Sequence, residues 1–395
     1  MLFTFLAKKL RLLGHMARAG DAANRGNAGG GAGRDQPSEP PLAASLDENL
    51  RAIQRMLGDS TDMKVHRMAL GPDGGGDVAI AFIDGMVSSM LLTEAVLQPL
   101  AGMRRGEALP RGKALLNMVR DRVLCIGEIE RVGRLDEVLS GMLAGDTALL
   151  IDGCDAALVL GTKGYEKRSV TEPQTESVIR GPREGFTENV RTNTALMRRR
   201  IQNPELRLET LVVGRKTRTR VCLMYIDGVA NPRVLETVRR RIDDLDVDSV
   251  LESGYIEQYI EDAPFSPFAT IGYTEKPDVV AAQVLEGRVA ILVDGTPFAL
   301  TAPMLFYESF QSAEDYYVRP IYATMGRLLR FFGYFITVFG PAVFIALTTF
   351  HQELIPTTLL FSIASAREGT PFPTFVEALF LLLTYEVLRE GGLRL

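Results

Sequence analysis

The 395-residue sequence predicts an α/β protein: two related α/β cytoplasmic subdomains in tandem, followed by an α-helical transmembrane region. Three observations predict it. An Ile/Val-Asp-Gly tripeptide recurs four times after apolar strand-like runs, at Asp84, Asp152, Asp227 and Asp294, spaced 68 and 67 residues within pairs and 143 and 142 between them. Aligned at an offset of 142, residues 136–158 and 278–300 share ten identities in 23 positions, and VAIAFIDG (78–85) parallels VCLMYIDG (221–228). Two copies of one unit explain this. Second, Phe331 to Phe350 is twenty residues without a charge, which as a helix spans about 30 Å, the thickness of a bilayer's hydrocarbon core. Third, Arg319, Arg327 and Arg330 precede that stretch and only Arg367 follows within twenty residues. The positive-inside rule then places the large N-terminal part in the cytoplasm.

The elements follow in chain order. Residues 1–20 (MLFTFLAKKLRLLGH and on) read as a basic amphipathic segment, its apolar run being too short for a signal peptide. Residues 21–44 are a flexible linker rich in Gly, Ala and Pro. Ser45 to Glu48 form a capping-box pattern ahead of Leu46, Leu50, Ile53 and Leu57 at helical spacing, opening a first α/β subdomain over 45–161. GPDGGGD (71–77) lacks the Lys-Ser/Thr of a phosphate loop and precedes a strand, so it reads as a hairpin turn. A charged connector occupies 162–212, and residues 163–220 carry 14 Lys/Arg against 7 Asp/Glu. Within it Glu188–Ile201 reads as a basic helix ending at Asn203-Pro204.

The second subdomain is expected over 213–310, with Asn231-Pro232 starting a helix as N-cap and N1 proline. A juxtamembrane segment (311–330), the transmembrane helix (331–350, kinked at Gly340-Pro341) and a membrane-associated segment (351–395) complete the chain. In that last segment neither 354–366 nor 371–385 is expected to cross a bilayer by itself, which suits a re-entrant or interfacial arrangement or a second span spoiled by truncation.

Composition excludes several functions. The net charge of −5 points away from nucleic acid, and the connector offers only Tyr165 and Phe186 for stacking on bases. Cys125, Cys154 and Cys222 are far apart, against a disulfide framework or a zinc site, and three scattered histidines leave little for catalysis. No catalytic, cofactor-binding or metal-binding residues are expected. Asp84, Asp152, Asp227 and Asp294 have two readings. As functional groups they would be ligands or acid/base groups at strand ends. As turn residues they supply geometry, their carboxylates bonding nearby backbone amides. The turn reading is preferred, because a repeat must reproduce turns but need not reproduce chemistry twice.

TEPQTESVIRGPREGFTENVRTNTALMRRRI, followed by a strand ending in YIDG, resembles the A subunits of spore germinant receptors, the GerA/GerB/GerK family of spore germination proteins. TTLLFSIASAREGTPFPTFVEALFLLLTYEVLREGGLRL is similar to that family's membrane region. The resemblance runs from about residue 46 to the C-terminus. It implies two cytoplasmic α/β subdomains joined by a linker, then a multi-span domain in the cell membrane or inner spore membrane. It implies a nutrient-sensing receptor in which a transporter-like B subunit binds the germinant, a lipoprotein C subunit joins it, and the A subunit oligomerises into a cation channel in contact with lipid. Glu172, Glu176, Arg180, Gly181, Pro182, Arg183 and Glu184 are the signature positions expected to make subunit or subdomain contacts, the alternative being that their charges form internal salt bridges. Family members usually continue through further spans, so the stop at Leu395 is expected to reflect a fragment or a truncated product. The competing expectation is a membrane-tethered sensor or regulatory domain without its own pore, binding a small molecule in a cleft between the α/β copies.

Overall fold

The computed structural model describes residues 41–70, 76–103, 109–164, 176, 178, 180–263, 265–369 and 372–393. The amphipathic segment expected over 1–20 and most of the linker lie outside these. The linker's last residues are not free: Leu42 is buried, and its amide donates to the Gly133 carbonyl at 3.0 Å.

Among the described residues ten strands form two five-stranded sheets, every neighbouring pair antiparallel. The first contains β1 (Met63–Leu70), β2 (Gly76–Ile83), β3 (Ile129–Val132), β4 (Thr147–Ile151) and β5 (Ala157–Leu160), ordered β1-β2-β4-β5-β3. The second contains β6 (Leu206–Val213), β7 (Thr219–Ile226), β8 (Gly272–Thr274), β9 (Val289–Val293) and β10 (Ala299–Ala302), ordered β6-β7-β9-β10-β8. GPDGGGD joins strands that pair Leu70 opposite Gly76, although residues 71–75 themselves lie outside the described set.

Helices cover both faces of each sheet because the strands alternate and bury both sides. In the first unit α1 (Leu46–Leu57) and α4 (Leu135–Leu143) pack on Ala79, Ala81 and Leu150. Helical stretches α2 (89–102) and α3 (113–123), each containing a π-type segment, pack on Val78, Ile80 and Leu149. The second unit repeats this with α5 (Val190–Arg200) and α8 (Pro277–Leu285) on one face, and α6 (Pro232–Asp243) and α7 (Ser253–Ile260) on the other. The second copy therefore starts near Thr187. The stretch assigned to a connector over 162–212 contributes its first helix and first strand. The reason is visible in Asn193, whose amide brackets the Thr187 backbone, accepting at 2.8 Å and donating at 2.6 Å, just as Asn49 brackets Ala43 at 2.8 and 2.7 Å.

All four Asp-Gly glycines have positive φ (77–95°), which a Cβ would strain. The aspartates, however, bond partners distant in sequence rather than nearby amides. Asp152 Oδ1 accepts from the Leu46 amide at 3.0 Å, and Asp294 Oδ1 from the Val190 amide at 3.1 Å, so each closes the N-terminus of its unit's first helix. Ser45 makes no side-chain cap, which corrects the capping-box expectation; Asp152 does that work from 106 residues away. Removing either carboxylate should behave as loss of an N-cap. Asp152→Ala is expected to lower stability by about 1 kcal/mol, with faster amide exchange confined to the start of α1. Unchanged exchange there would show that the contact carries no energy.

The two units meet at a seam built by α5 and β6. Arg198, 1% exposed, forms a fork with Asp62 at 2.7 and 3.0 Å and donates to Ser60 at 2.8 Å. The Leu208 amide donates to Ser60 Oγ, and the Thr61 amide donates to the Leu208 carbonyl. This turn of the first unit thus covers the edge of the second sheet, where unpaired strand groups would otherwise face solvent. At the seam Gly85 lies where a Cβ would sit 3.0 Å from the Arg191 carbonyl and 3.3 Å from Ala195, while Asp84 accepts from Arg191 at 2.6 Å. Its counterpart Gly228 faces open space.

After the second unit come short 3-10 turns at Phe306–Phe310 and Ala313–Tyr316, then α9 (Pro320–Ile345), which continues as a π-type turn to Phe350. The helix begins at Pro320, eleven residues before the uncharged run, because a proline at its first position has no amide to leave unpaired. It continues through Pro341. By length and composition Pro320–Phe350 is able to cross a membrane, and it is the one helix among the described residues that meets that test. Helices α10 (Thr357–Arg367) and α11 (Thr374–Leu393) follow, tied by an Arg367–Glu377 pair at 3.2 Å.

Candidate functional site

Glu176 and residues 180–186 lie in a joint between the second unit and the start of α9. Phe186 is buried in the core under α5 and α8, and its amide donates to the Glu275 carbonyl at 2.8 Å. That anchor lays the preceding residues along the β8–α8 turn. Lys276, fully buried, reaches back with its ammonium to the Pro182 carbonyl at 3.0 Å. Glu176 accepts from the Thr274 hydroxyl at 2.5 Å, the same hydroxyl that accepts from the Lys276 amide at 3.1 Å. Glu184 divides its carboxylate between Arg199 at 2.7 Å and Arg200 at 2.8 Å, on the helix that carries the seam residue Arg198. Gly181 has φ 143°, and a Cβ there would meet the Tyr317 ring at 2.8 Å.

From Tyr317 the connections run into the apolar helix. Tyr317 donates its hydroxyl to Asp278 of α8. Two residues earlier, Asp315 accepts from the Ser312 amide at 3.1 Å, from Arg327 at 3.0 Å and from Arg330. Beside it the buried Arg288 forks onto Glu308 of the preceding 3-10 turn. One chain of polar contacts thus leads from the seam, through Glu184 and the 181–186 backbone, to the first turns of α9.

The electrostatics differ along this chain. Burial pushes the Glu176 carboxyl above its ordinary value, and the nearby Glu275 and Asp278 add to the shift; the Thr274 hydrogen bond and Lys276 oppose it. Burial, then donation to Asp278, pushes the Tyr317 phenol up. At Asp315 burial acts in the raising direction, but hydrogen bonds from Arg330, the Ser312 amide and Arg327 outweigh it and hold the carboxyl low. Because the Glu176 pKa is raised on folding, its stabilising contribution is complete below the unfolded value of about 4.5 and is lost as pH rises through the higher folded value. Glu176→Gln is therefore expected to match the parent's melting temperature near pH 4 and to exceed it near pH 7. Equal melting temperatures at both pH values would contradict this.

The expected contact residues separate into groups. Glu176, Gly181, Pro182 and Glu184 converge on the joint, Arg180 and Arg183 are exposed, and Glu172 lies outside the described residues. Asp152 and Asp294 close helices, Asp84 lies on the seam, and Asp227 accepts from Arg207 at 3.1 Å. Arg198, Asp62, Lys276, Asp315 and Tyr317 were not anticipated. None of them is marked out locally in the sequence, Arg198 being the first of three consecutive arginines. No group of three or more metal-binding side chains occurs among the described residues. A cavity of about 350 Å³ opens at the seam between Gly85, Ser88, Met90 and the Arg191 and Arg199 side chains, both of which already hold carboxylates.

Comparison with known proteins gives this arrangement a context. The family profile described as "Bacillus/Clostridium GerA spore germination protein" matches residues 51–395. Spore germination protein KA of Bacillus subtilis (strain 168) is 43% identical over 362 residues, covering 91% of this chain and 66% of that protein. The uncharacterized membrane protein YfkQ of the same organism is 41% identical, covering 90% of this chain and 68% of its own length. The chain thus spans about two thirds of these relatives. Among solved structures, the N-terminal domain of the A subunit of the Bacillus megaterium spore germinant receptor GerK3 aligns with TM-score 0.54 and 35% identity, over 68% of this chain and 98% of that one. The tandem α/β fold and the sequence agree: the chain belongs to the GerA family of spore germination proteins.

Proposed function

We propose that this chain acts as a non-enzymatic A subunit of a membrane-bound germinant receptor. The two α/β units stand in the cytoplasm, and the apolar helix enters the cell membrane or inner spore membrane. Copies of the chain assemble around an ion-conducting path, together with transporter-like B and lipoprotein C subunits. The observation that carries this reading is the joint: residues 180–186 connect the inter-unit seam to the base of a membrane-length helix. Such a connection passes a rearrangement in either direction, since coupling between sites is reciprocal. Most large apolar side chains of α9 are exposed, as befits a helix facing lipid or neighbouring helices and not a soluble core.

The test uses a native probe. Cys125 is exposed, whereas Cys154 and Cys222 are buried. An impermeant maleimide is expected to label Cys125 only after the cells are opened, while the protein stays with membranes through an alkaline wash. Labelling of intact cells would overturn the cytoplasmic placement, and release by the wash would overturn the membrane assignment. The seam cavity favours one second reading, a small-molecule sensor. A rise in melting temperature of the purified chain with an amino acid, sugar or nucleoside, abolished by Ala195→Phe, would favour it.

A further inference from the structure

We infer that the loop around Phe265 and Phe268, leading into edge strand β8, is a second membrane contact, laying these two side chains into the lipid headgroup boundary beside α9. This rests on the membrane reading of α9 proposed above. The loop reads APFSPFATIGYT, twelve residues without a charge. Phe265 is fully exposed, Phe268 and Tyr273 are exposed too, and Phe268 packs beside the exposed Phe306 of the next turn, which Leu305 and Tyr307 flank in sequence. A soluble surface rarely gathers so many aromatics without a partner.

The aromatic contacts fix the depth of this face. Phe268 packs edge-on against Phe306 with ring centroids 5.0 Å apart. Phe306 packs on Tyr334 at 6.0 Å, and Phe310 on Phe331 at 5.5 Å and on Tyr334 at 5.4 Å. Phe331 begins the uncharged run of α9, and Arg327 and Arg330 lie just before it. The loop is therefore held level with the first turn expected inside the bilayer, where amphipathic aromatic rings concentrate.

The repeat supplies an internal control. At an offset of 142 the loop corresponds to residues 121–132, with β3 and β8 in the same register against β5 and β10. The first copy carries Asp121, Arg122, Glu128, Glu130 and Arg131 there, with Arg131 in the place of Tyr273. Of the two copies, the one next to the membrane-length helix has no charge here. At the loop's borders Asp262 is paired with Arg241, and the Lys276 ammonium is spent on Pro182. The contact is thus apolar, requiring no anionic lipid.

The chain contains no tryptophan, so a single one reports without background. The full chain would be reconstituted into phosphatidylcholine vesicles with and without brominated acyl chains, carrying F265W, F268W, F339W in α9, or V212W on the opposite edge of the second sheet. F265W and F339W are expected to emit at short wavelength and to be quenched about twofold or more by brominated lipid, with V212W unaffected. Quenching of F339W without F265W overturns the inference alone. Failure of F339W overturns the membrane reading and the inference with it. Short-wavelength emission from F265W without quenching identifies a protein partner, a second copy included, and likewise overturns the lipid contact.

Discussion

Arg198→Met is expected to cost about 3–5 kcal/mol, the penalty for breaking a buried ion pair from one side. Asp62 would then be left desolvated beside Ser60, with the Arg198 fork gone. The loss should appear as a lowered denaturation midpoint of the full chain and as faster amide exchange in α5, β1 and the Ser60–Asp62 turn. Exchange in α6 and α7, on the far face of the second sheet, should change little. Two comparisons separate this from a general packing defect. Arg200→Met removes a partly exposed partner of Glu184 that Arg199 also serves, and is expected to cost under about 1 kcal/mol. Arg198→Met combined with Asp62→Leu removes both charges and should recover most of the loss, because the buried charge, not the missing contact, is the expensive part. If Arg198→Met proves no worse than Arg200→Met, the seam is held by something other than this pair.

The repeat was readable in the sequence because its apolar strands and Asp-Gly turns recur at nearly constant spacing, and those are local properties. Its boundary was not. TNTALMRRR has the composition of a solvated basic helix, and nothing local distinguishes Arg198, which is buried, from Arg199 and Arg200, which are partly exposed. The distinction arises only when the helix lies against Asp62, 136 residues earlier. The four aspartates show the same limit. Asp-Gly announces a turn, but the partner of each carboxylate is set elsewhere: for Asp152 and Asp294 by a helix terminus about 105 residues away, for Asp84 and Asp227 by the side chains of Arg191 and Arg207. Within the joint, RGPREGF stood out by composition, whereas Lys276 and Tyr317, which hold it in place, look like ordinary surface residues in the sequence.

At the other end of the joint, Asp315→Ala is expected to loosen the base of α9 without releasing the protein from membranes. One carboxylate there serves the Ser312 amide and two arginines of the helix. Its removal should cost about 2–3 kcal/mol, in the range for hydrogen bonds to a charged group, since Arg327 and Arg330 are partly exposed and regain water. The folded carboxyl titrates below its unfolded value of about 3.8, so its contribution is whole at neutral pH and fades only as acid carries the pH down through the folded value. The parent and Asp315→Ala should therefore differ fully at pH 7 and converge in strong acid. Amide exchange over 306–320 should accelerate, while the Arg198–Asp62 seam keeps its protection. Asp315→Asn, which keeps an acceptor but loses the charge, should fall between the two. If the joint transmits a signal, spores carrying Asp315→Ala in an otherwise complete receptor should respond poorly to germinant at normal protein levels. A full response with the exchange pattern altered as described would separate the two roles, leaving Asp315 as a structural clamp and placing the coupling elsewhere in the chain.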